Sequence, residues 1–215
     1  PGDTPVGIEL STHRDAPIHK EIWDLCQEFG TYNRPCTYKH SHSEYGRQVH
    51  IRDYRLAAFC EEHVGFGAKT KRFSQAVMRW APEIQLELIG AYLGGDGWQN
   101  GSEWQEGSMG ISTANEILAH QLLAMLLRSS IVAGLSYIHH RSGGGFNRND
   151  TFEWVIYIPK AYSNILSKVT QKVRPYNAAP AQNRLRRIVG DYLLIPVKDV
   201  EASAVTYVGQ VYNFE

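Results

Sequence analysis

The run Leu88-Ile89-Gly90-Ala91-Tyr92-Leu93-Gly94-Gly95-Asp96-Gly97 ends an apolar, small-residue-rich segment on a single carboxylate. At the C-terminal end of a helix an acid meets the negative pole of the helix dipole, at a cost of about 0.3–1 kcal/mol, so an offsetting cation is expected beside it. The chemistry that follows is a carboxylate presented to a metal ion. Upstream, Ala81-Pro82-Glu83-Ile84-Gln85-Leu86-Glu87 opens the helix with proline in its first turn and acids near its positive pole. Gly90 with Gly94, and Ala91 with Gly95, place small residues on neighbouring turns, where a second backbone can approach closely although each glycine weakens the helix. The same residues also suit a buried core helix with a glycine C-cap at Gly95 or Gly97.

Other ionisable clusters carry less. Glu83 and Glu87 start the same helix and, at about 1.5 Å of rise per residue, lie too far from Asp96 to share one ion with it. Cys36, His40 and His42 lack a fourth zinc ligand at a convincing spacing. His139 and His140 point to opposite faces of an extended strand, against a joint metal role. Cys26, Cys36 and Cys60 form no CxxC pair and leave an odd thiol, which suits a reducing compartment.

With 215 residues, 43% hydrophobic and 20% charged, the chain reads as globular rather than disordered. No apolar run reaches a membrane span and the N-terminal residues lack a signal-peptide pattern, so a soluble, intracellular protein is expected. Net charge is zero, but its distribution is uneven. Residues 31–80 and 161–190 are basic, whereas residues 81–120 hold Glu83, Glu87, Asp96, Glu103, Glu106 and Glu116 without a lysine or arginine. Basic arms around an acidic centre suit a protein that grips a polyanion and holds a cation in its middle; two ordinary solvated faces give the same counts.

The elements that must position Asp96 are repeated. Residues 7–12 alternate like a strand and lead into a helix over 16–29, and residues 109–113 lead into a helix over 114–131. Hairpins follow in both halves: 37–42 with 47–52, and 135–141 with 152–158 around the Gly143-Gly144-Gly145 loop. Each hairpin runs into a helix, 53–63 and 161–172. Residues 191–201 and 206–215 then alternate as two further strands.

Pro82 to Gly97 resembles the second signature helix of the LAGLIDADG homing endonucleases, with Ile89 to Gly97 on the family motif and Asp96 on its catalytic acid. The resemblance implies an α+β fold of two pseudo-symmetric αββαββα-like halves whose antiparallel sheets form saddles. It sets residues 1–81 as a first half lacking its signature helix, 82–190 as the second half, with a strand over 98–104, and 191–215 as C-terminal strands. The first signature helix and its acid would precede Pro1, or come from a partner chain. Val211-Tyr212-Asn213-Phe214-Glu215 resembles the strand by which an intein returns from its inserted endonuclease to its splicing domain, with Asn213 where aspartate is common. The splicing nucleophile and histidine blocks are not in these residues; a plain hairpin also fits.

The resemblance implies a DNA endonuclease that hydrolyses phosphodiesters with divalent ions, Mg²⁺ being the natural choice for hard oxygen ligands. Asp96 is the implied ligand, and Lys160 and Arg52 are the supporting cations at strand ends. With Val49 and Ile51 towards the core, Gln48, His50 and Arg52 would face double-stranded DNA. Trp154, Ile156 and Ile158 buried would leave Glu153, Val155 and Tyr157 on the outer face. Lys39, Tyr137, His139 and Arg141 on partner strands, Asn147 and Arg148 in the glycine-rich loop, and Gln99, Asn100 and Ser102 past the motif complete the implied DNA contacts. A non-cleaving nucleic-acid-binding module, or an intein fragment that splices with a partner chain, would carry the same residues.

Overall fold

The computed structural model describes residues 7–13, 17–28, 36–39, 46–99, 109–140, 151–176, 187–189 and 192–194, in two compact units, 1–181 and 182–215. The first unit opens with β1 (Ile8–His13), α1 (Pro17–Glu28), β2 (Cys36–Lys39), β3 (Gly46–Ile51) and α2 (Tyr54–His63). Their antiparallel sheet has the order β1-β3-β2, with Leu10 opposite Val49 and Cys36 opposite His50. Alternation decides its faces: Val49 and Ile51 are buried, packed by Leu10 and Ile22.

Asp53 caps α2. Its carboxylate accepts from the Arg55 and Leu56 amides at 2.9 and 3.1 Å. The Leu56 amide above all, with the amide and guanidinium of Arg55, holds this carboxyl below its ordinary value.

The second sheet is built by α3 (Gln75–Met78), α4 (Pro82–Asp96), β4 (Gly97–Gln99), β5 (Met109–Thr113), α5 (Glu116–Arg128), β6 (Gly134–His140) and β7 (Thr151–Ile158). A 3₁₀ turn at Lys160–Tyr162 and α6 (Ser163–Leu166) follow. Strand order is β4-β5-β7-β6, antiparallel throughout, and β5-β7-β6 repeats the order of β1-β3-β2. α4 and α5 lie on one face, burying Ile89, Leu93, Leu118, Leu122, Met125 and Leu126 against Met109, Ile111, Ile156 and Ile158. Gln85 is fully buried in α4 with both ends of its side-chain amide paired: it donates to Val77 O at 3.0 Å and accepts from Arg128 at 2.7 Å.

Two local departures from the sequence expectation have visible causes. The helix expected to Lys172 stops at Leu166; Val169 and Thr170 amides both return to Leu166 O, a tightening turn that seats the Val169 backbone against α4. A Cβ built on Gly90 would lie 2.3 Å from Val169 O. The close-approaching backbone is therefore this turn. The Gly95 side of α4 has no atom within 4 Å of such a Cβ. α5 ends at Arg128 because Ser130 turns left-handed (φ 59°) and the Ile131 amide closes onto Leu126 O at 2.9 Å.

In the second unit β8 (Arg187–Val189) pairs antiparallel with β9 (Tyr192–Leu194). The strand expected from residue 191 thus pairs upstream; residues 206–215 lie outside the described residues. No helix among the described residues is long and apolar enough to cross a membrane.

Gly90→Ala should lower stability by about 1–3 kcal/mol despite alanine's better helix propensity, because backbone cannot yield as a side chain can. Gly95→Ala should raise it by about 0.5–1 kcal/mol in urea melts. Asp53 titrates lower folded than unfolded, so its contribution is complete above the unfolded value and is lost as pH falls through the folded one. The urea-midpoint gap between wild type and Asp53→Ala should therefore be widest near neutral pH and close in acid.

Candidate functional site

α4 passes into β4 without a loop, and Asp96 is its last residue. The junction requires glycine next: a Cβ on Gly97 would sit 2.6 Å from Leu93 O, to which the Gly97 amide donates. The carboxylate is thereby held at the end of a rigid element with its side chain 62% exposed. Two ammonium groups offset the helix pole. Lys71 Nζ is 3.6 Å from Asp96 Oδ2, and Lys172 Nζ donates to Gly95 O at 3.1 Å and to Gly94 O at 3.4 Å. The cation beside Asp96 in this structure is thus an ammonium group, where the sequence reading expected a metal ion.

Asp96 lines an open cleft of about 380 Å³ with Lys71, Tyr92, Ser112, Thr113, Thr151, His140 and Glu153. His140 Nε2 and Glu153 Oε1 are 2.8 Å apart. Lys71 also lies 5.3 Å from the Tyr92 ring centroid, and the buried Tyr92 hydroxyl has no hydrogen-bond partner among the described residues. Beside the cleft, Trp98, Gly110 and Tyr157 are successive partners across β4, β5 and β7. The indole covers Gly110, where a Cβ would meet Trp98 Cζ2 at 2.6 Å, and meets Tyr157 edge-on at 5.9 Å.

The other predicted site residues fall as follows. Arg52 is exposed just past β3, and His50 alternates with buried Val49 and Ile51, its ring 3.7 Å from Glu9. Lys160 stacks over the Tyr176 ring at 3.5 Å and is not among the residues lining the Asp96 cleft. Gln99 exchanges both amide hydrogen bonds with the Arg174 backbone, at 2.8 and 3.3 Å. Tyr137 and His139 are opposite Trp154 and Phe152, so they share the face of Trp154 rather than that of Glu153 and Tyr157. There they form a stack, His139–Phe152 at 4.3 Å and Tyr137–Phe152 at 5.4 Å. Val155, assigned to the outer face, is buried. Lys39 and Gln48 are placed by backbone only, opposite Arg47 and Tyr38. Asn100, Ser102, Arg141, Asn147 and Arg148 lie outside the described residues.

Sequence reasoning missed Lys71, His140 and Glu153 as neighbours of Asp96. Only the basic character of residues 31–80 hinted at the first. Among the described residues no group of three or more His, Cys, Asp and Glu side chains converges on a metal position.

No family model and no curated protein matches the sequence. Solved structures do. Mesophilic variants of the homing endonuclease I-DmoI align with TM-score 0.51 and 11% identity, over 78% of this chain and 79% of theirs. I-DmoI in complex with DNA and Mn aligns with TM-score 0.51 and 12% identity, over 80% of this chain and 82% of that one. What is shared is the fold. The expected mixed α+β architecture with antiparallel sheets is present and is similar to that of I-DmoI.

The loop carrying Lys71 is fixed by α5: Asn115 Nδ2 donates to Lys69 O at 2.5 Å, while its Oδ1 caps Leu118 N at 2.9 Å. Asn115→Ala should cost about 1–2 kcal/mol in thermal or urea melts, and it should speed amide exchange at residues 66–72.

Proposed function

We infer that this chain is part of a site-specific, metal-dependent DNA endonuclease of the LAGLIDADG homing type. The observation that carries the reading is the exposed Asp96 carboxylate, at the end of α4 in an open cleft, within a fold shared with a homing endonuclease. Hydrolysis of a phosphodiester needs a positioned water and neutralisation of charge on the phosphoryl oxygens, which divalent ions held by carboxylates supply. The described donors fit half of such a site: Mg²⁺ keeps most of its waters and accepts one or two carboxylates, and Asp96 is one.

The other half would come from a second signature helix, supplied by the remainder of the protein or by a partner chain. An exposed stripe on α4 supports this. Ile84 is 53% exposed, and Glu87, Ala91 and Gly95 continue the same exposed side of the helix. On this reading residues 1–81 and 82–190 are two related halves, as the repeated strand order suggests, and residues 191–215 belong to an intein's C-terminal segment. Arg52 and Lys160 remain the proposed supporting cations, and Gln48 and His50 proposed contacts to double-stranded DNA.

A second reading, a DNA-binding module that does not cut, is favoured by the ion pair that already occupies Asp96 and by the lack, among the described residues, of three or more His, Cys, Asp or Glu side chains grouped to hold a metal. Nicking of a supercoiled plasmid library carrying random inserts, by the full-length protein, decides between them. With Mg²⁺ or Mn²⁺ the wild type should nick, and Asp96→Asn should lower the rate by at least about 100-fold while DNA retention in gel shifts persists. Equal rates for the two proteins would favour the second reading.

A further inference from the structure

Building on the nuclease reading, we propose that the aromatic row formed by Tyr137, Phe152 and His139 stacks an unpaired nucleobase of the bound DNA. The row follows from register. Thr113, the last residue of β5, pairs with Trp154, so β6 and β7 run on beyond it as a two-stranded ribbon. Phe152 and His139 are opposite each other on that ribbon, and Tyr137 is opposite Trp154 at its base. All four share one face, because residues two apart on a strand point the same way. The Phe152 ring is parallel to His139 within 9° at 4.3 Å and to Tyr137 within 7° at 5.4 Å. Tyr137 meets Trp154 at 4.8 Å, and Trp154 meets His120 of α5 at 5.8 Å. α5 touches the row at this Trp154 end; farther out Tyr137 is 55% and Phe152 48% exposed.

Single exposed apolar side chains are ordinary, whereas a contiguous row of aligned rings marks a contact surface. Rings already held parallel accept another flat π system without reorganising. What lies next to the row sets its occupant. Phe152 also lines the Asp96 cleft, with Ser112, Thr113 and Thr151. The row thus adjoins the place where the nuclease reading puts the DNA backbone, and a nucleotide held there carries its base towards the rings. In duplex DNA the faces of the bases are covered by their neighbours, and only edges and backbone are presented. The rings therefore engage a base only where pairing is interrupted, as at a bulge, a frayed end or an extruded nucleotide. Every base has such a face, so the contact selects unpaired structure and not sequence.

The test uses the full-length protein in Ca²⁺ with two fluorescent duplexes that differ only by a one-nucleotide bulge. Anisotropy titrations should show the bulged duplex bound about tenfold more tightly than the paired one. Tyr137→Ala and Phe152→Ala should each remove most of that preference and Phe152→Trp should keep it, with affinity for the paired duplex within about twofold of wild type. Both side chains are half exposed, so melting temperatures should stay within about 3 °C. Stacking releases no counterions, so the slope of log K against log salt should be unchanged by these substitutions. Equal binding of the two duplexes by the wild type, or a preference that survives in the Tyr137→Ala/Phe152→Ala double variant, would overturn the stacking proposal and leave the nuclease reading standing. If neither duplex is bound, the nuclease reading fails, and the row is then probed by itself with single-stranded oligothymidylate. Upfield ring-current shifts of the Tyr137 and Phe152 ring protons support stacking, and unmoved signals overturn it. Shifts that follow protein concentration without nucleic acid would mark the row as a contact with a second copy of the chain and overturn it likewise.

Discussion

The position of Asp96 rests on a contact between backbones. Val169 O lies only 2.3 Å from where a Cβ of Gly90 would be, and Leu93 O 2.6 Å from that of Gly97, so α4 is seated against a turn on one side and passes directly into β4 at its end. Neither contact tolerates a side chain. Once both are made, the last residue of α4 has little freedom, and its carboxylate is presented at the edge of a four-stranded sheet. The buried Gln85, tied to Val77 and Arg128, anchors the other end of the same helix.

A carboxylate at a helix C-terminus is an electrostatic misfit, and the surroundings are organised around it. Lys172 covers the Gly94 and Gly95 carbonyls, and Lys71 approaches the acid itself. These cations come from segments distant in sequence, one after α6 and one before α3, held by Asn115, Gln121 and the Val169 turn. Fold and charge are therefore coupled at the Val169 turn: the segment that lets α4 pack closely also brings Lys172 onto its last carbonyls.

Much of this was legible in the sequence. Pro82 and Gly97 bracket α4 as their residue types predict, and the alternation of Val49 and Ile51 gave the buried face of β3 correctly. The hairpins and both strand-to-helix passages fall within a few residues of their expected places. What escaped depends on non-local geometry. The four-residue α3 is too short for periodicity to register, and nothing local ties Lys71 to Asp96. The faces of Tyr137 and His139 hinge on register, where one residue of slip inverts every side chain; pairing with Trp154 and Phe152 puts them on the face of Ile156 and Ile158, where they stay exposed. Gln99 has the type of a base-reading residue, yet its amide completes the Arg174 backbone.

The proposed nuclease needs a divalent cation at the end of α4. Paramagnetic broadening by Mn²⁺ in ¹⁵N spectra tests it most directly, because it detects weak binding and needs neither cleavage nor a known target. A cation held there broadens the amides of residues 95–98 and 71 first, and Asp96→Asn removes the effect. Broadening centred elsewhere, or unchanged in that variant, would contradict it.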